Sequence, residues 1–133
     1  MKALKIFLFS LSGLIALCLF LSLVLTMGMG EVKKLQINDV DMSKISDGVY
    51  TGSYHKGRWT YDVSVTIANH AMTAVTNTNK SMNAQSSLND KISAEILKKQ
   101  SIKIDAVSGA TVNTRAFQKA VETALKSGIP KKN

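Results

Sequence analysis

Residues 48–78 have the sequence GVYTGSYHKGRWTYDVSVTIANHAMTAVTNT, and this stretch decides the fold. Its middle part, residues 59–68, alternates apolar with polar side chains, as in a strand with one buried and one solvated face. The apolar set is Tyr61, Val63, Val65 and Ile67. A similar alternation precedes it from Gly48, and a further strand is predicted after Asn69-His70, a two-residue hairpin loop in which Asn tolerates positive φ. The stretch therefore predicts antiparallel strands.

Two helices are predicted after these strands. Apolar side chains at helical spacing begin near Leu88, after a capping signal at Ser87, and continue to about Gln100. A longer helix follows, whose apolar residues recur at i, i+1, i+4 and i+5, and Gly128 and Pro130 end it. Its apolar positions are Ala116, Phe117, Ala120, Val121, Ala124 and Leu125. Between the helices, the alternation of Ile102, Lys103 and Ile104 predicts a short strand.

The segment upstream of the strands is strongly apolar. Residues 6–27 contain no charged side chain, and their length is close to the roughly 20 residues that cross a bilayer as a helix. The fold class is therefore α+β, with an N-terminal single transmembrane helix followed by one small domain with an antiparallel sheet and two main helices. The predicted organisation is a membrane anchor over 1–30, a tether over 31–46 and a folded domain over 47–133. A cleaved form stays open, because Gly28 and Gly30 offer small residues before a cut.

Compartment and surface charge follow from the basic residues. Lysines stand on both sides of the apolar run, so the positive-inside rule is indecisive, but a short basic tail before a long apolar stretch is typical of export signals. We therefore expect a cell-membrane protein with an extracytoplasmic domain. The formal net charge of +8 is spread over isolated lysine pairs, which favours a solvated surface or attraction to anionic lipid over binding of nucleic acid.

The segment from Asp105 to Thr111, DAVSGAT, is the main site candidate. It precedes the last helix, whose first turn has unpaired N–H groups and the positive end of the dipole, where a phosphate is stabilised. Gly109 and Ala110 are small, so a ligand or a modifying enzyme can approach the backbone. The residues alone leave two interpretations open: an anion or phosphoester site around Ser108 and Thr111, or a helix cap formed by one of these hydroxyls.

This segment resembles the flavinylation motif of the FMN-binding domain family, with Thr114 three residues further on. Residues 47–52, the hairpin over 59–78 and residues 99–101 also resemble that family, so the likeness covers residues 47–127. The resemblance implies an extracytoplasmic electron carrier in which Thr111 bears FMN through a phosphoester bond. It also implies that Asp105, Ser108, Gly109 and Ala110 form the recognition sequence of a flavin transferase, which itself uses FAD and Mg²⁺.

The remaining cofactor contacts are less defined. Many members of the family carry a proline-containing loop after the third strand, whereas this chain has none there, so Thr78, Asn79 and Met82 are the hypothesis for the flavin pocket. No histidine has a partner at metal-ligand spacing, and no hydrolase motif is present, so neither a metal site nor a catalytic residue is predicted.

The sequence therefore predicts a membrane flavoprotein that relays electrons from a membrane donor, either a quinone or a dehydrogenase, to an external or periplasmic acceptor. It is expected to be a carrier rather than a self-standing enzyme. Two alternatives stay open: a module that binds or senses FMN non-covalently, and a basic cell-surface interaction domain without a cofactor.

Overall fold

The structure, a computed structural model, describes residues 1–79 and 85–130. Helix α1 spans Lys2–Thr26, and the short helix α2 spans Met29–Lys33 after a break at Gly28, whose φ is 84°. Strands β1 (Gly48–Lys56), β2 (Trp59–Ala68) and β3 (Ala71–Asn77) follow, and then helices α3 (Ser86–Lys99) and α4 (Thr111–Ser127). These elements confirm the predicted α+β class. Among the described residues, one helix, at the N-terminus, is long and apolar enough to cross a membrane.

The three strands form one antiparallel sheet in the order β1-β2-β3. Along β2, burial alternates without interruption, so Tyr61, Val63, Val65 and Ile67 all face the helices as predicted. The β2–β3 turn takes Asn69 and His70 at φ 53° and 59°. Positive φ at both central residues is the requirement of a type I′ hairpin turn, which matches strand twist. The predicted two-residue hairpin is therefore confirmed.

Helix α4 packs across β1 and β2 and completes the core. Its apolar face is buried, with Phe117 fully inaccessible and in edge contact with Tyr61 at 5.6 Å between ring centroids. The closest approach is at Gly52 of β1, where a Cβ would lie 2.2 Å from the Ala124 nitrogen and 2.4 Å from the Ala120 oxygen. The strand and helix backbones therefore meet directly because this position has no side chain.

The strand predicted over 102–104 is absent from the structure, although the burial pattern behind that prediction is correct. Ile102 and Ile104 are buried, but their carbonyl oxygens accept hydrogen bonds from the Gln118 side-chain amide, at 2.7 and 2.9 Å. The free edge of β3 is bonded instead by the Gln100 side chain, which accepts from the Met72 N–H and donates to its carbonyl, both at 2.8 Å. One side-chain amide thus takes the place that a fourth strand would fill.

The segment predicted as a tether, residues 31–46, packs against the domain. Val32, Ile37, Val40 and Ile45 are all buried in the core. The four buried positions are five, three and five residues apart, which is neither a helical nor a strand period, so the sequence pattern did not show their burial. We call residues 31–46 the strap. It connects the anchor to the sheet as a bound layer rather than as a loose linker.

Polar contacts fix the strap at two further points. The carboxylate of Asp39 accepts from the Ser101 hydroxyl at 2.6 Å and from the Ile102 N–H at 2.9 Å. Glu122 of α4, which is 1% exposed, accepts from the Asn38 N–H at 3.4 Å. Because these bonds join the strap to the two segments that flank the candidate motif, the strap and the motif belong to one packed unit.

Candidate functional site

The motif loop ends where α4 begins. Gly109 adopts φ 74°, in the left-handed region, and a Cβ there would meet no atom within 4 Å, so the backbone conformation rather than space favours glycine. Ala110 is the N-cap residue and no side chain caps the helix, while Thr111 is the first helical residue. The interpretation of Ser108 or Thr111 as a helix cap is therefore wrong. Both side chains are exposed instead.

Thr114, one turn into α4, holds the loop in place. Its side chain is fully buried, and its hydroxyl donates to the Ala110 carbonyl at 2.9 Å and accepts from the Val107 N–H at 3.3 Å. A further turn is closed by the Ala110 N–H, which donates to the Val107 carbonyl at 2.9 Å. Thr114 is consequently a structural residue, and Thr111 is the threonine that is presented to solvent.

A cleft of about 320 Å³ opens beside Thr111. Its walls come from three parts of the chain: α2, the tip of the β1–β2 hairpin, and the start of α4. The lining residues are Met29, Lys33, Arg58, Trp59, Gly109, Ala110, Thr111, Val112 and Asn113. A second hollow of about 270 Å³ shares Arg58, Trp59 and Asn113 and continues to Gln85. Volumes of this size are at the lower end for small-molecule sites.

The cleft is electropositive and has an aromatic wall. Among the described residues that line it, Lys33 and Arg58 are the charged ones and none is acidic. The Arg58 guanidinium lies over the Trp59 ring at 4.9 Å, and Trp59 is only 4% exposed. The other aromatic residues of the strands serve the core. Burial raises the pKa of Tyr61 to about 12, and its hydroxyl donates to Gln85 Oε1 at 3.2 Å.

The first turn of α4 leaves donors free. Among residues 1–79 and 85–130, no acceptor bonds the backbone N–H groups of Thr111, Val112 or Asn113. These groups and the aligned peptide dipoles make this end of the helix a favourable place for an anion. The donors, the two cations and the exposed hydroxyl of Thr111 therefore occur on the same cleft.

The structure brings together only part of the predicted site. Gly109, Ala110 and Thr111 line the cleft, whereas Asp105 and Ser108 are exposed and are not lining residues.

Thr78 and Asn79, two of the residues predicted after the third strand, are not among the described residues that line this cleft. Thr78 donates to the Asp62 carbonyl through its N–H at 2.7 Å and its hydroxyl at 3.0 Å, and it lines a separate groove of about 200 Å³ with Thr51 and Ser53. The Asn79 amide donates to the Thr60 carbonyl at 3.4 Å. The predicted contact at Met82 lies outside the described residues.

The lining residues that the sequence analysis did not assign to the site include Met29, Lys33, Arg58, Val112 and Asn113. The first two lie about 80 positions before Thr111, and no local pattern joins them to it. Within the part of the chain that the structure describes, no three His, Cys, Asp or Glu side chains are grouped as metal ligands.

Comparison with known proteins identifies the family. A sequence comparison with curated proteins gives no match. The family model of the FMN-binding domain, by contrast, matches residues 26–126, which include the strap, the sheet and the whole cleft. The chain therefore belongs to the FMN-binding domain family, which supports FMN as its cofactor.

Proposed function

We propose that this protein is a membrane-anchored, extracytoplasmic flavoprotein that carries FMN covalently on the Thr111 oxygen and relays electrons. The observation that carries the proposal is the exposed Thr111 hydroxyl, which opens on a positively charged cleft at the uncapped end of α4. Family membership supports a flavin-binding electron carrier. The apolar helix α1 supports a single-pass anchor by its length and composition.

The residues of the cleft fit an esterified FMN. A phosphodiester keeps one negative charge, and the free N–H groups of the first turn of α4, together with Lys33 and Arg58, would hold it. Trp59 lines the cleft but is only 4% exposed, so it would offer the flavin ring a small aromatic contact beside the Arg58 guanidinium that lies over it. None of the described lining residues is acidic, so none of them would repel the phosphate.

Attachment is a phosphoryl transfer that needs a separate flavin transferase. The Thr111 hydroxyl oxygen forms a bond to the FMN phosphorus of FAD, the pyrophosphate P–O bond breaks, and AMP leaves. The hydroxyl proton passes to a base of the transferase, whose Mg²⁺ activates the phosphoryl donor. This chain supplies the acceptor oxygen and the exposed recognition residues Asp105 and Ser108 around it.

Bound FMN supplies the redox chemistry, and the polypeptide supplies tethering, orientation and electrostatics. The proposed donor is a membrane quinone or dehydrogenase, and the proposed acceptor is external or periplasmic. In this proposal the protein acts as a carrier between these partners, and its membership of the FMN-binding domain family supports that role.

The test is intact-mass spectrometry of the denatured full chain, produced with a flavin transferase. We expect the parent to gain one FMN less one water, and Thr111→Ala to lose that gain completely. The matched control is Thr123→Ala, which removes another exposed α4 threonine, one whose hydroxyl bonds the Lys119 carbonyl at 2.9 Å. It should keep the full mass.

Two results would replace the proposal. A Thr111→Ala protein that is purified natively with stoichiometric FMN, from a parent without covalent flavin, would establish the non-covalent binding module. A parent that binds no flavin in either form, beside an active transferase, would favour the basic surface-interaction domain.

A further inference from the structure

The exit of the membrane helix forms part of the cleft wall. Met29 and Lys33 stand one turn apart on α2, and both line the cleft that contains Thr111. Between them Val32 is fully buried in the domain core. Helix α2 is therefore fixed against the domain on one side and open to the cleft on the other.

Contacts with the tip of the β1–β2 hairpin hold the start of α2 in place. A Cβ at Gly28 would lie 3.7 Å from the Trp59 ring, which is ordinary van der Waals distance. Two residues later, the Glu31 carboxylate pairs with Lys56 at 2.6 Å, and this pair raises the pKa of Lys56. The hairpin tip also supplies Arg58 and Trp59 to the cleft, so the same contacts define both walls.

Lys33 is the charged residue of α2 that lines the cleft, where it would contact the ligand. Among the described residues it forms no ion pair, in contrast to Lys56. Its neighbour Lys34 is also exposed but is not a lining residue. The two adjacent lysines therefore differ in their position relative to the cleft.

We infer that the exit turn of the membrane anchor is a binding wall of the flavin site, with Lys33 as a counter-charge to the FMN phosphate and Met29 beside it. This inference rests on the proposed function for the identity of the ligand. It places the cleft next to the membrane surface, because only Met27 and Gly28 separate α1 from α2. The flavin site and the anchor then form one unit.

The first test measures free FMN binding by the full chain in lipid nanodiscs, in a Thr111→Ala background that excludes covalent attachment. Trp59 is the chain's single tryptophan and lines the cleft, so quenching of its fluorescence reports binding. Lys33→Glu should raise the Kd about tenfold or more, as expected for loss of a hydrogen bond to a charged group. Lys34→Glu, the matched control with the same change in charge, should leave the Kd within about twofold.

Equal effects of Lys33→Glu and Lys34→Glu would overturn the inference, since they would show only a general response to charge. Absence of FMN binding to the Thr111→Ala chain would also overturn it. The mass gain of the parent chain decides the proposed function separately, so the two failures are distinguishable.

A second measurement needs no flavin. Nitroxide-labelled lipids are placed in the nanodisc with the label either at the headgroup or deep in the acyl chain. Trp59 fluorescence should be quenched by the headgroup label and not by the deep label. Equal fluorescence with headgroup-labelled and unlabelled lipid would show that the cleft stands away from the membrane, and would refute the placement.

Discussion

Gly52→Ala tests whether the direct contact of β1 with α4 holds the domain together. The added Cβ would lie 2.2 Å from the Ala124 nitrogen and 2.4 Å from the Ala120 oxygen, whereas ordinary contact begins at 3.4 Å. Both obstructing atoms belong to backbone, so no side-chain rotation relieves the overlap. The strand and helix must separate by about 1 Å, which removes a quarter to a half of the dispersion energy along their contact.

We expect Gly52→Ala to lower the free energy of unfolding by about 3 kcal/mol, the upper end of overpacking costs. This is a large share of the roughly 5–15 kcal/mol that stabilises a typical domain. Urea unfolding of the full chain in detergent micelles, followed by Trp59 fluorescence, measures the change as a fall in midpoint of about 1–3 M.

The control is Gly57→Ala in the β1–β2 turn. Its φ is 56° and a Cβ there would meet no atom within 4 Å, so the cost is conformational and near 1 kcal/mol. If Gly52→Ala unfolds at the same urea concentration as Gly57→Ala, the close backbone approach does not exist and the packing argument fails.

Four further predictions concern stability, loop order and titration. Burial raises the pKa of Glu122, but hydrogen bonds from Lys126 and Lys119 outweigh this effect and hold the pKa below its ordinary value of 4.5. The ionised Glu122 carboxylate therefore stabilises the fold above that pH, and this stabilisation is lost as the pH falls through the pKa of the folded state. Glu122→Gln should therefore lower thermal stability at pH 7, and the difference from the parent should shrink in acid. Gln100→Ala should cost about 1–3 kcal/mol in urea unfolding, because the β3 edge loses both side-chain bonds; an unchanged midpoint would contradict this. Thr114→Val should keep the fold by circular dichroism yet reduce FMN incorporation by mass, since the loop loses its buried hydroxyl. In an ultraviolet titration of the native chain, Tyr61 should ionise only near pH 12.

The strands and helices were predictable because their signals are local. Alternating burial along β2 and the helical period of α4 are properties of neighbouring residues, and the sheet and helix form where those periods indicate. The strand expected over 102–104 fails for the converse reason. Its alternation is genuine, but the partner of its carbonyls is the Gln118 side chain, and a sequence pattern cannot show which group bonds a backbone.

One part of the cleft lining was likewise predictable from local sequence, and the other part was not. Its motif wall, from Gly109 to Thr111, was predicted from its position before the last helix, and the resemblance to a family then identified the ligand as FMN. Its other walls depend on long-range packing: the strap buries Val32 and bonds Glu122 through Asn38, and only this arrangement brings Lys33 to the helix start. Because the strap has no period of its own, its sequence is typical of a linker.

Two threonines one turn apart show what the structure adds to the motif. Both carry the hydroxyl that phosphoester chemistry needs, so their residue type does not distinguish them. Thr114 is fully buried, and its oxygen already bonds Ala110 and Val107, so a phosphoryl donor cannot reach it without unfolding the loop. Thr111 is exposed and lies in the first turn of α4, whose N–H groups have no acceptor among the described residues. The buried threonine therefore orders the loop that presents the exposed one, and the proposed attachment at Thr111 rests on this difference in burial.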